Sequence, residues 1–216
     1  MLKSPVENVE IGRVLRASTA GFAIGCRVSQ LSLPSFGSLV KAQPVEARES
    51  IYGLIYDMHI DDDPLVRRLV LADEPRQSVI EDQRSNRLLP IEMSVLSVGY
   101  RQSGTITHSL PPRPPLNLDP VFLCLEQEEV REFTDKPQYL RMILRTVAAG
   151  QVPVDQLLVA HIKHCYEQRG QDRAWAMRTI EELIEFLRSN YDLLIPTLEA
   201  ISEAVPGLER VVEPLF

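Results

Sequence analysis

The sequence predicts an α+β protein, an N-terminal small β-barrel with a helical insertion followed by a C-terminal all-α bundle. Three observations carry this. Residues 9–60 read as four short strands at roughly ten-residue spacing, with Gly, Pro or Ser in the turns between them, as in small barrels. From Thr134 onward the apolar period becomes that of helices. Eleven of the 16 prolines fall in residues 1–134 and five in 135–216, a turn-rich part ahead of a helical one. The chain therefore divides into a barrel-like β-domain, residues 1–134 with the insertion at about 64–89, and a helical bundle domain, residues 135–216.

The first strand runs from Ile11 to Ala17 and turns at Thr19-Ala20-Gly21. Phe22, Ile24, Cys26 and Val28 then alternate with Ala23, Gly25 and Arg27, the period of a half-buried strand. Ser38–Gln43 follows the turn at Pro34-Ser35-Phe36-Gly37. In Ile51–Ile60, Tyr52, Leu54, Tyr56, Met58 and Ile60 share one face, and Gly53 marks a bend or bulge. The insertion opens at Asp63-Pro64, a good N-cap followed by a first-turn proline, with Leu65, Val66, Leu69 and Val70 as its apolar stripe. Strand patterning returns at Ile91–Tyr100, turns at Ser103-Gly104, resumes at Thr105–Ser109 and ends with Val121–Leu125.

The helical part starts with Leu140, Ile143, Leu144 and Val147 on one face, closed by Gly150. Pro153 opens a second helix to Gln168, with Val154, Leu158, His161, Ile162 and Cys165 inward and Gly170 as the stop. A third, from about Asp172 to Asn190, places Met177, Ile180, Leu183, Ile184 and Leu187 inward and Arg178, Glu181, Glu182, Glu185 and Arg188 outward. A fourth, opened by Pro196, carries Leu198, Ile201 and Val205. Beyond Pro206-Gly207, the residues Leu208, Val211, Val212, Leu215 and Phe216 form an apolar segment expected to dock, onto its own bundle or onto a neighbouring subunit or partner.

Composition narrows the function. The chain holds 216 residues with 44% hydrophobic and 25% charged side chains, enough to bury a core without staples. Its net charge of −7, spread over both parts, disfavours a general nucleic-acid binder, which needs clustered Lys and Arg. Three cysteines (Cys26, Cys124, Cys165), far apart and in no metal-like pair, fit a reducing compartment and buried thiols. Residues 1–12 lack the apolar stretch of a signal peptide, and no run is long and apolar enough to span a membrane. The expected location is cytoplasmic.

Residues 9–133 resemble a known module. Ile11-Gly12-Arg13-Val14-Leu15 followed by a Gly-containing strand is similar to the barrel shared by HerA-type ATPases and the catalytic subunits of rotary ATP synthases, the HAS barrel. Glu92–Tyr100, ending in Val98-Gly99-Tyr100, is followed by a polar hairpin, the segment Leu110-Pro111-Pro112-Arg113-Pro114-Pro115, then Asp119-Pro120-Val121-Phe122-Leu123, an order that HerA-type N-terminal domains share. HerA-type proteins continue into a motor domain with a phosphate-binding loop. This chain has no G-x-x-x-x-G-K-[ST], and none of its four lysines follows a glycine, so the family's ATPase and helicase activity does not carry over. What the resemblance implies is a contact barrel, of the kind that forms rings and, in HerA, lies where a partner nuclease docks.

Other chemistry candidates compete with plainer readings. His161 and Cys165, four apart on a helix, offer two metal ligands, but they sit on the apolar stripe where a satisfied core histidine and a buried thiol are expected, and Lys163 between them adds charge. Asp61-Asp62-Asp63 has the oxygens for a hard cation, yet acids at a helix start are favoured electrostatically without one. Glu126, Glu128 and Glu129 read as a wet helical face approaching Phe133. Arg67-Arg68 and Arg84/Arg87, interleaved with Glu81 and Asp82, read as surface ion pairs. Residues 111–115 read as stiff polyproline-like backbone presenting Arg113, either as a barrel segment or as a docking peptide. There is no G-x-S-x-G elbow.

No catalytic, cofactor-binding or metal-binding residue is assigned, no cofactor is expected, and enzymatic activity is not expected. The expected function is a non-catalytic assembly or adaptor protein acting through protein–protein contact or self-association, with a separate ATPase or nuclease as a candidate partner. The alternative is an accessory protein of DNA processing that touches nucleic acid directly, and a third reading is a hydrolase using acids such as Asp57 or Asp61–Asp63. No membrane partner is expected.

Overall fold

The computed structural model describes residues 9–27, 34–44, 49–60, 67–68, 70–72, 76–79, 81, 90–146 and 152–205. Seven strands form: β1 (Val9–Ala17), β2 (Gly21–Arg27), β3 (Leu39–Ala42), β4 (Glu49–Ile60), β5 (Pro90–Gln102), β6 (Thr105–Thr107) and β7 (Pro120–Leu123). All their pairings are antiparallel, and the order β1-β7-β3-β4-β5-β2 returns to β1, closing a six-stranded barrel. β6 lies outside the ring as the second arm of a hairpin on β5. Closure removes the exposed edges that an open sheet would offer.

Ile11, Val14, Ile24, Val40, Ile51, Ile55, Met93, Val95 and Val121 fill the barrel interior, almost wholly removed from water. Glycines stand where the backbones close in. At Gly12 the register of β1 against β7 shifts, and a Cβ there would meet the Gly25 carbonyl oxygen at 2.4 Å. At Gly53, where the sequence suggests a bend or bulge, the register of β4 against β5 shifts, the extra residue being Val98 of β5, and a Cβ at Gly53 would collide with Val95 Cγ1. A second bulge between Ile55 and Asp57 corrects the strand reading. It reverses the alternation, so Met58 packs with the barrel interior while Tyr52, Leu54 and Tyr56 face the other way. Ile60 ends the strand exposed.

The helices are α1 (Gln127–Thr134), α2 (Leu140–Leu144, preceded by a 3-10 turn at Pro137–Tyr139), α3 (Val154–Gln168), α4 (Arg173–Leu187) and α5 (Tyr191–Ala204). They pack on the outside of β3, β4 and β5: Leu39, Tyr52, Leu54, Leu96 and Val98 form one core with Phe133, Tyr139, Leu157, Ile162, Trp175, Leu183 and Ile201. This core continues across the boundary placed at residue 134.

The predicted inward faces of α3 and α4 hold, with Met177 and Ile184 only partly buried. α5 starts earlier than Pro196. Asn190 is its N-cap, accepting from the Leu193 N–H at 3.3 Å, and Pro196 lies inside the helix. In the insertion, residues 67–68, 70, 77–79 and 81 are helical, and Val70, expected on an apolar stripe, is 75% exposed. Residues 61–66, Leu69, Arg84, Arg87, Val147, Gly150 and 206–216 lie outside the described residues, as do the expectations placed on them.

Candidate functional site

His161 sits at the seam between barrel and helices, without solvent exposure. The Gly37 carbonyl, 3.0 Å away, can only accept, so Nδ1 carries the proton; Nε2 then accepts from the Tyr139 hydroxyl at 2.8 Å. Cys165 Sγ lies 3.4 Å from Nε2. Gly37 has φ +84°, and a Cβ there would approach the His161 backbone nitrogen to 2.8 Å, so glycine is what lets α3 come this close. Burial lowers the His161 pKa to about 4, against the smaller upward pull of the Gly37 carbonyl. The ring is neutral and both nitrogens are used. It is a satisfied core histidine, and among the described residues no group of three or more His, Cys, Asp or Glu side chains is gathered to hold a metal.

One ionic cluster joins α1 to the barrel, and a second joins helices to one another. Lys41 Nζ donates to both oxygens of Glu129 at 2.8 Å, and the Tyr52 hydroxyl donates to the same carboxylate at 2.9 Å. Arg101 Nε donates to the Tyr52 oxygen at 3.2 Å, and its guanidinium reaches Glu132 at 2.7 Å. This corrects the reading of Glu129 as part of a wet face. Glu126 and Glu128 are exposed, but Glu129 shares the inward side of α1 with Val130 and Phe133, and its side chain is 11% exposed. In the second cluster Arg169, 3% exposed, donates to the Arg131 carbonyl at 3.2 Å, to Thr134 Oγ1 at 2.9 Å and to Asp172 at 3.1 Å. Its guanidinium carbon lies 5.0 Å from the centre of the Trp175 ring. These groups tie α1, α3 and α4 together, with Arg169 Nε alone of the guanidinium nitrogens buried without a hydrogen-bond partner.

The cysteines are buried, as their spacing suggested, and burial pushes all three thiols up. Asp57 is exposed on β4. Pro111 and Pro115 are buried and Arg113 is exposed, in the connection between β6 and β7.

Among the described residues, the helices cover β3, β4 and β5, while the outward face of β1, between β7 and β2, stands in water. Glu10, Arg13, Leu15 and Arg16 point outward from β1, with Leu15 45% exposed. Beside them, a turn before β7 presents Leu116 and Leu118, which are 61% and 68% exposed. The turn is firmly tied. The Asp119 carboxylate accepts from the Leu116 N–H at 2.7 Å, the Leu118 N–H donates to the Val14 carbonyl at 2.8 Å, and Arg13 donates to the Leu118 carbonyl at 3.1 Å. Leu118 has φ +70°, a conformation that a bulky side chain rarely adopts and that costs about 1–2 kcal/mol. A strained, well-anchored backbone is therefore holding an apolar side chain out in water.

Charge on the wall is internally paired. Arg13 Nε lies 3.1 Å from Glu10, and Arg16 makes a bidentate contact with Glu92. That pairing holds the Glu92 carboxyl below its usual range. A groove of about 480 Å³ runs from Arg16, Ser18 and Gly21 past Tyr56 and Ser94 to Thr146 and Val152. Sequence patterning located β1 and β7 but not this surface. The available signal was Leu116-Asn117-Leu118-Asp119, two leucines in a turn sequence.

No protein-family model matches the chain, and no match is found among curated proteins. No helix among the described residues is long and apolar enough to cross a membrane.

Proposed function

We propose that this protein is a non-catalytic assembly or adaptor protein whose barrel, similar to the HAS barrel in its strand motifs, makes protein–protein contact through the wall β7–β1–β2. The observation that carries the reading is the strained turn presenting Leu116 and Leu118 beside Leu15. Strain of this kind persists where surrounding bonds over-determine it, and it clusters at functional positions. Burying exposed leucines against a partner stabilises a contact by about 1.5–3 kcal/mol for each that is fully covered. Arg13 and Arg16, already held by Glu10 and Glu92, suit the polar rim of such a contact better than a phosphate backbone.

Light scattering behind size exclusion, with a pull-down from lysate, tests the reading. The wild-type chain should self-associate or recover a partner, and Leu116→Ser with Leu118→Ser should reduce either outcome at least fivefold. A strict monomer that recovers nothing refutes it. A gel shift that weakens steeply with salt would transfer support to the DNA-processing alternative.

A further inference from the structure

Of the chain's four histidines, His59 stands exposed at the end of β4, while His108, His161 and His164 are buried or half-buried. Two of these three carry hydrogen bonds across the seam between barrel and helices. His161 of α3 donates from Nδ1 to the Gly37 carbonyl, in the turn before β3, at 3.0 Å. His108, which follows β6, lies with Nε2 2.9 Å from the Phe133 carbonyl of α1. Its ring centre is 5.0 Å from that of Phe133 and 5.5 Å from that of Tyr139. A carbonyl only accepts, so Nε2 of His108 holds the proton and Nδ1 is where a second one would bind.

Among the described residues, neither ring has a carboxylate to receive a positive charge. A proton added to His161 Nε2 would face the Tyr139 hydroxyl and Cys165 Sγ, and the charged neighbour acting on the ring is His164, itself a base. One turn further along α3 stands Arg169, another cation. Around α3, the helices α2, α4 and α5 bury only apolar and threonine side chains, and the Glu129 carboxylate of α1 is taken by Lys41 and Tyr52. From the barrel the seam receives Lys41 and Arg101, both cations. The charged neighbour of His108 is Lys136. Burial lowers all three imidazoles, His161 to about 4, so each takes up its proton more readily with the seam open to water.

The barrel's own core is built differently. It is separate from the core shared with the helices, and Cys26 is the one titratable side chain among its buried members. Burial pushes that thiol up, so it stays uncharged as the solution turns acid. The strand pairings that close the ring need no helix. We infer that the seam is an acid-sensitive latch: on acidification the helical layer releases β3, β4 and β5 while the six-stranded barrel stays closed. Release uncovers Leu39, Tyr52, Leu54, Leu96 and Val98 as an apolar face on the barrel. Opening confined to one cooperative unit is what the separate cores allow.

Amide hydrogen exchange of the full-length chain at pH 7 and pH 4.5, with labelling times scaled to the intrinsic exchange rates, tests the latch. Amides of α1, α3, α4 and α5 should lose protection roughly tenfold or more at pH 4.5, while those of β1, β2 and β7 stay within about twofold. Trp175, the single tryptophan, is fully buried with Nε1 2.8 Å from the Thr134 carbonyl, and its emission should shift to the red with the helices. His108→Gln with His161→Gln should keep at pH 4.5 the protection it has at pH 7. If the double variant does not fold, the wild-type exchange pattern still decides. Barrel and helices losing protection together, or neither losing it, overturns the inference, as does a folded double variant that still releases its helices in acid.

Discussion

The two walls of one barrel have met opposite demands. Inside, both contribute the same aliphatic packing; outside, β3–β4–β5 presents Leu39, Tyr52, Leu54, Leu96 and Val98, each at most 8% exposed beneath the helices. The wall β7–β1–β2 presents Glu10, Arg13, Leu15 and Arg16 to water. A strand covered on both sides loses its polar alternation, whereas one covered on a single side keeps it. β4 reads Ile51-Tyr52-Gly53-Leu54-Ile55 without a charge, and β1 interleaves Glu10, Arg13 and Arg16 with Ile11 and Val14. Leu15 and the turn leucines break that rule on the bare wall, and for that reason they carry the functional argument. The covered wall should therefore answer mutation with lost stability, and the bare wall with lost association.

The largest effects belong to the seam. Phe133, fully buried, lies 4.5 Å from Tyr52 and 5.3 Å from Tyr139 between ring centres, and it packs against Gly99. Phe133→Ala should cost about 3–5 kcal/mol, read as a lower urea midpoint. Lys41→Ala should cost about 3–5 kcal/mol by leaving the Glu129 carboxylate partly buried without its cation. The double change Lys41→Met with Glu129→Leu should recover most of that loss. If the double variant were as unstable as the single one, the pair would be doing more than neutralising itself. At Leu15, the corresponding bare-wall change to Ala should move the midpoint little.

Acid should act on the same seam. His161 titrates near 6.5 in an unfolded chain and at about 4 when folded, so below pH 6.5 the unfolded state binds the proton more readily. Its contribution is fully present above pH 6.5 and is lost as pH falls towards 4, by up to about 3 kcal/mol. His108 and His164 are also lowered by burial and act in the same direction. Urea titrations at pH 7, 5.5 and 4.5 should show the decline, and His161→Gln should flatten it while lowering stability at pH 7. An unchanged slope in that variant would remove His161 from the account.

How much of this was legible depended on range. The strands, the register shift at Gly53 and the inward face of α3 follow from local pattern, because period and glycine content act within a few residues. The bulge at Ile55/Asp57 has no glycine to mark it, so simple alternation puts Met58 on the wrong side. Pro196 looked like a helix start because proline favours the first turn, but the Asn190 side chain caps the helix earlier. Glu129 looked wet because its cation, Lys41, is 88 residues away in sequence. Buried His161 was legible as a core residue, although neither Gly37 nor Tyr139 was legible as its partner. The positive φ of Leu118 was not legible at all, since leucine carries no preference for it and the bonds imposing it come from β1 and Asp119.

The smallest expected effect separates the walls most cleanly. Leu118→Gly removes a side chain that is 68% exposed, so little burial is lost, and it relieves a backbone held at φ +70°. Relief of about 1–2 kcal/mol is offset by about 0.5–1 kcal/mol from the greater freedom of glycine in the unfolded chain. The net change should be a gain of up to about 1 kcal/mol, seen as a slightly raised urea midpoint. Association should move the other way, because the apolar group offered to a partner is gone. A variant that is more stable yet less associated is the signature of strain retained for contact. If stability and association both fell, Leu118 would be packing the turn for its own sake. The bare wall would then differ from the covered one only in having fewer neighbours.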